Sequence, residues 1–330
     1  MMMYGDPMGI PPLREAIAEY VGATRAVRCD PSQIMVVGGS QQGLQITAHV
    51  LLNRGDPVWM EDPGCPGARR ALLTAGARLI PIAVDQEGLN VGDGVSRCPQ
   101  ARAAYVTPSH QYPLGATMSP ARRMQLLHWA ARAGSWIIED DYDSFAGEPI
   151  AALQGLDQAA RVIYVGTFSR VMFPSLRMGY LILPKDLVPA FAASREAADM
   201  YSPTLHQAAL ADFITEGHFA RHIRRTRALY VDRRSTLIDA IRQDIGDGLE
   251  IVGADAVMHL VGLLPPATSD AAVSRQAGRY DISAMPLSLC SLRKPTRGGL
   301  VLGFGGTDPA QIRAGVRRLA KCLRGCDTGL

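Results

Sequence analysis

VGTFSRVMFPSLRMGY, residues Val165–Tyr180, reads as the end of a buried strand, a polar turn, and a second strand beginning near Met178. The turn Thr167-Phe168-Ser169-Arg170 sits at a strand end, where α/β proteins keep their chemistry. Arg170 and Arg177 flank it. Apolar runs of strand length recur on both sides: Gln33–Gly38, Pro57–Glu61, Leu79–Val84, Ala103–Thr107, Trp136–Tyr142 (WIIEDDY), Val162–Val165 and Gly179–Leu183. Between them the pattern predicts helices over 41–53 and 68–75. A third opens at Ser119-Pro120, where Ser caps free amides and Pro fits the first turn, and ends near Gly134. Repeated strand–helix units with apolar strands predict an α/β fold with a mostly parallel sheet covered on both faces.

After Pro184 the pattern changes. Long helices are predicted over 187–198 and 203–243, the second broken near Gly217. Short strands follow at LEIVG, MHLVGLL, DISAMPL and GLVLGFG. A last amphipathic helix starts at Asp308-Pro309, with Ile312, Val316 and Leu319 on one face. The expectation is a large domain over 1–195, N-terminal segment included, and a smaller α+β domain over 196–330.

The 330 residues are 47% hydrophobic and 20% charged, enough for a sizeable core, and the net charge of +3 is far from a nucleic-acid-binding composition. The basic run Arg221–Arg234 therefore reads as a solvated helix face, with Ile223, Leu229 and Tyr230 turned inward. The six cysteines are scattered without a CxxC pair, which argues against a metal site and for reduced thiols. The histidines 110, 206, 218, 222 and 259 show no ligand spacing and read as packing or surface residues. No signal peptide or long apolar run is visible, so the expectation is a soluble, cytoplasmic protein without membrane contact. The start, Met1 to Pro7, runs straight into patterned sequence, like a chain whose upstream part is missing.

Three more polar segments fall at strand ends. GGSQQG, Gly38–Gly43, joins a strand to a helix N-terminus, where backbone amides and Ser40 suit a phosphate. TPSHQYPLG, Thr107–Gly115, is a second. EDDYD, Glu139–Asp143, is a third; it reads either as a solvated loop or as a cation-facing site, since three acids buried unpaired are costly. Arg177 can clamp a phosphate. Together these segments put a phosphate cradle, a carboxylate and a phenol at the strand ends of one sheet.

In order and spacing, YGDPMGIPPLR, GGSQQGLQ, EDPGCPG, TPSHQYPLG, EDDYDS, GTFSRVMFPSLRMGY, QAALADFITEGHFARHIRRTRALY and GLVLGFGG resemble the fold type I pyridoxal 5′-phosphate (PLP) enzymes. The chain most resembles the aminotransferase-like domain of MocR-type regulators in the GntR superfamily. The resemblance implies that Ser40, Gln41, Thr167 and Arg177 hold the PLP phosphate. It implies that Asp140, with Asp141 as the fallback, pairs with the pyridinium nitrogen and keeps the ring an electron sink. Tyr142 would donate to the phenolate oxygen, and Tyr4 would reach the partner's phosphate across a homodimer interface.

One position departs sharply. The family has lysine where this chain has Arg170. Lysine forms an imine because its amine can lose a proton; a guanidinium stays protonated, with a pKa above ~12, and is poorly nucleophilic. Lys185, Lys294 and Lys321 are the only lysines, and none lies at a matching strand end. Cys65 replaces the usual tyrosine of PGYPG, and the family's DSEFRY segment is shortened after Ser144. Val301 stands where many transaminases carry a carboxylate-binding arginine, although many MocR-type domains lack it too. The leading expectation is a MocR-type effector domain without its winged helix-turn-helix, which binds PLP without a covalent bond and is impaired in transamination. It would respond to a small amine or amino acid and touch DNA only through the missing N-terminal domain. Two alternatives stay open: an active PLP-dependent aminotransferase, and a ligand-free dimerisation module.

Overall fold

The computed structural model describes residues 4–142, 150–253 and 258–326. The strands are β1 Ile34–Val37, β2 Pro57–Asp62, β3 Arg78–Asp85, β4 Gly88–Leu89, β5 Ala103–Val106, β6 Trp136–Asp141, β7 Val162–Thr167, β8 Gly179–Ile182, β9 Glu250–Val252, β10 His259–Leu263, β11 Met285–Pro286 and β12 Gly299–Gly303. The first eight form one sheet in the order β1-β8-β7-β6-β5-β2-β3-β4. The pairs β2/β5, β5/β6 and β6/β7 are parallel, and β8 runs antiparallel between β7 and β1. Every residue of β1, β5, β6, β7 and β8 is buried, which is why these strands read as continuous apolar runs and not as alternating ones. The fold is that of an α/β protein with a large, mostly parallel sheet.

The helices at the sheet follow their local chemistry. Pro120–Ala133 is capped by Ser119, whose hydroxyl accepts from the Arg122 amide at 3.2 Å, and stops at Gly134, φ 66°. The helix Pro11–Arg25 is an addition to the sequence expectation; its start has no polar cap to announce it.

By contact density the chain divides into two compact units. One comprises Met1–Glu61, Pro66–Ser109 and Thr117–Ile223; the other comprises Asp62–Cys65, His110–Ala116 and Arg224–Leu330. Position 195/196 falls within the first unit, because Val188–Asp199 packs on Ser40–Leu51 and Thr204–Thr215 packs on Pro11–Arg25. The second unit holds an antiparallel sheet, β11-β12-β10-β9. Its core includes Leu237, Ile241, Leu260, Leu300, Phe304 and the expected face Ile312, Val316 and Leu319 of the helix Pro309–Cys326.

Three details refine the pattern. The break near Gly217 is real: Thr204–Thr215 and His218–Asp244 are separate helices, and Gly217 has φ 75°. Leu229 is not turned inward but 44% exposed, since it lies about 100° round the helix from Tyr230, which packs on the core. DISAMPL yields only Met285–Pro286 as strand, because Asp281 sits at φ 58° in a turn and Pro286 cannot donate to a ladder. Among the described residues no helix is long and apolar enough to cross a membrane.

Gly166, the penultimate residue of β7, is required by its neighbour. A Cβ there would stand 2.2 Å from Tyr180 Cζ, and Tyr180 is fully enclosed. Gly166→Ala should destabilise the protein by about 2 kcal/mol or more through overpacking, read as a lower urea midpoint.

Candidate functional site

The register brings three chain segments to one edge of the first unit's sheet. Gly179 of β8 lies opposite Thr167 on one side and Val37 on the other. Arg177, two residues before Gly179, therefore meets the loop that leaves β1. That loop is Gly38-Gly39, and Gly39 (φ 98°) opens the helix Ser40–Leu51. A Cβ on Gly39 would stand 3.2 Å from the Arg177 guanidinium carbon, so glycine is needed for both conformation and room. Arg177 itself is left-handed, φ 48°, an uncommon state for a side chain of its size. The first-turn amides of Ser40 and Gln41 make no hydrogen bond among the described residues, while Gln42 and Gly43 already donate to the Gly39 carbonyl. The Gln41 side chain is committed to the Gly67 carbonyl at 3.1 Å, so its backbone amide is the group it can offer. Thr167 Oγ1 accepts from the Ser169 amide at 3.2 Å. Ser40, Gln41, Thr167 and Arg177 thus share one edge, with a helix N-terminus, a hydroxyl pair and a cation suited to a phosphate.

The acids Glu139, Asp140 and Asp141 are all buried, which rules out the solvated-loop reading of this segment. Strand alternation separates them. Glu139 accepts from the amides of Leu153 (2.7 Å) and Gln154 (2.9 Å); burial, reinforced by Asp141, pushes its carboxyl up to about 7. Asp141, on the same face, accepts from Arg25 Nε at 2.8 Å and from the Tyr164 hydroxyl, and Arg25 also donates to Ser109 Oγ. Asp140 faces the other way. Its Oδ2 accepts from the Tyr105 hydroxyl at 2.7 Å, and its buried Oδ1 has no partner among the described residues. Burial pushes Asp140 up to about 6, against the Tyr105 hydrogen bond and the charge of Arg170, which pull it down.

Arg170 joins this group. Its guanidinium carbon lies 4.9 Å from the centre of the buried Tyr142 ring, within the ~6 Å of a cation–π contact. The turn that carries it is held by His222, whose Nε2 bonds to the Val171 carbonyl at 2.8 Å. That role of His222, the Arg25–Asp141 pair and the Tyr105 hydroxyl are contributions the sequence pattern does not signal. Tyr4 is placed differently: it is 82% exposed, its ring edge-on to Tyr201 at 6.3 Å. Lys185 is exposed beyond the end of β8 that pairs with the start of β1, the sheet edge opposite Thr167, and Lys294 and Lys321 are exposed too. In the second unit, Val301 packs with Val261, Leu287 and Cys290. The segment after Ser144, and Asp143, lie outside the described residues.

A sheet of this order, with an anion cradle and an incompletely paired carboxylate at its strand ends, is the frame of the fold type I PLP aminotransferases. The chain matches the family model of class I and II aminotransferases over residues 1–319 and belongs to that family. It is 43% identical over 314 residues to the probable rhizopine catabolism regulatory protein MocR of Rhizobium meliloti, a match covering 94% of this chain and 63% of that protein. It is 37% identical over 319 residues to the uncharacterized HTH-type transcriptional regulator YhdI of Bacillus subtilis, with 96% and 67% covered. The chain thus spans about two thirds of the length of these regulators. Among solved structures it resembles LysN, the α-aminoadipate aminotransferase of Thermus thermophilus, complexed with N-(5′-phosphopyridoxyl)-L-leucine. There the TM-score is 0.91 at 26% identity, with 100% of this chain and 85% of that one covered.

Proposed function

We propose that this chain is the PLP-binding, aminotransferase-like effector domain of a MocR-type transcriptional regulator, and that it holds PLP without a covalent bond. The chain would have a large and a small domain of aminotransferase type, a homodimer would complete the site through Tyr4, and a small amine or amino acid would be the effector. DNA contact would belong to a separate winged-helix module. The observation that carries the reading is Asp140: a buried carboxylate oxygen without a partner among the described residues, on the sheet edge that also bears Ser40, Thr167 and Arg177.

The residues fit the cofactor. When bound, PLP supplies an electron-withdrawing ring and an aldehyde. The amides of Ser40 and Gln41, Thr167 and Arg177 would bind its phosphate. Asp140 Oδ1 would accept from the ring nitrogen and hold a proton there, with Tyr105 fixing the carboxylate by its other oxygen. Tyr142 would orient the ring through its hydroxyl. Asp141 is turned to the opposite face and committed to Arg25, so Asp140 is the better candidate of the two. The active-aminotransferase alternative needs an amine at the position of Arg170, and the three lysines give it no support. The ligand-free alternative leaves Asp140 Oδ1 without a purpose.

The test is a titration with PLP, followed by absorbance, on the protein and on Asp140→Asn. The variant should bind PLP at least about tenfold more weakly, the worth of one charge-assisted hydrogen bond. Its stability without ligand should move the other way. Asp140 is raised to about 6 in the folded protein. The folded state therefore keeps a proton that the unfolded chain has lost between pH about 4 and about 6. That contribution to stability is complete below about 4 and is lost as pH rises through about 6. Asp140→Asn should then be near neutral at pH 4 and stabilising by up to about 3 kcal/mol at pH 8. Equal PLP affinities would remove Asp140 from the site.

A further inference from the structure

Arg170 is a cation with little to bind. Among the described residues it makes no hydrogen bond and no ion pair; its guanidinium lies over the face of Tyr142. Such a contact is weaker than a charge-assisted hydrogen bond to an anion and is readily exchanged for one. Asp140 feels its charge, so the guanidinium belongs to the same site as the unpartnered carboxylate oxygen. Asp140 pairs with the Tyr105 hydroxyl through its other oxygen and makes no ion pair with Arg170. Guanidinium cannot lose a proton to attack an aldehyde, but its planar fork matches a carboxylate in a two-point contact. It would also repel an ammonium.

We infer that Arg170 makes this site selective for a pyridine phosphate whose 4-substituent carries a carboxylate, over one that carries an amine. The inference rests on the reading above, that the site holds a PLP-like ring. Arg170 stands where that reading puts the ring's 4-substituent, Asp140 serves the nitrogen, and the Ser40–Arg177 edge serves the phosphate. The carboxylate can sit directly on the ring, as in an oxidised cofactor, or at the end of an amino acid already joined to it. Both present the same anion to the guanidinium.

Calorimetric titration with four probes tests this: PLP, pyridoxamine phosphate, 4-pyridoxate 5′-phosphate and N-(5′-phosphopyridoxyl)-glycine. At least one of the two carboxylates should bind about tenfold or more tightly than pyridoxamine phosphate, and the tighter of them identifies the carrier. In Arg170→Met, checked for an unchanged circular dichroism spectrum, that preference should fall to within about twofold while PLP still binds. Three results overturn the inference. If PLP binds but the carboxylates match pyridoxamine phosphate, the selectivity is wrong and the cofactor reading stands. If the preference persists in Arg170→Met, another residue provides it. If none of the four binds, the cofactor reading falls and this inference with it.

Discussion

If PLP binds without a covalent bond as proposed, Arg170→Lys is expected to give a protein that fixes it covalently. The lysine amine, set beside the Tyr142 ring, would be partly desolvated. Desolvation disfavours the ammonium, so the amine can shed a proton and attack, against the pull of the nearby Asp140 carboxylate. The observable is a cofactor that survives borohydride treatment and denaturation on the variant. Transamination by the unmutated chain should lie about 10⁴-fold or more below that of an active relative, because on the proposed reading Arg170 can serve neither as nucleophile nor as proton-shuttling base. The variant need not regain full activity, since the resemblance implies a tyrosine where this chain has Cys65. Failure of the lysine variant to form any covalent adduct would show that position 170 does not face the aldehyde.

The second large effect concerns stability. Arg25 and Asp141 form an ion pair that is almost completely buried, at 2.8 Å. Removing one partner leaves the other charged and enclosed, which costs about 3–5 kcal/mol. Arg25→Met should therefore lower the urea midpoint strongly. Arg25→Met/Asp141→Asn should recover much of the loss, because the stranded carboxylate is then gone. Asp141 lies between Asp140 and Tyr142, so the single variant should also weaken PLP binding. A single variant as stable as the parent would mean that the pair is solvated in solution.

Much of this was legible from residue order alone. Continuous apolar runs gave the parallel strands, since strands covered on both faces lose their alternation. The polar turns between them pointed to one shared edge, and Gly39, Thr167 and Arg177 do lie together there because β1, β8 and β7 are neighbours. The partners of the acids were not legible. EDD looks like one patch in the sequence; the pleat divides it, with Glu139 and Asp141 on one face and Asp140 on the other. Arg25 lies 116 residues from Asp141, in a helix without a polar start signal. Tyr105 and His222 look like a strand aromatic and a surface histidine until the fold brings them to Asp140 and Val171. Leu229 was misplaced for a simpler reason: an apolar residue next to the buried stripe is not on it.

The most direct measurement is the intact mass of the unmutated protein after saturation with PLP, borohydride reduction and denaturation, read beside equilibrium dialysis of the same sample. Non-covalent binding predicts PLP retained in dialysis and a protein mass unchanged by reduction. A phosphopyridoxyl adduct on the unmutated chain would contradict the account and return the protein to the active aminotransferases.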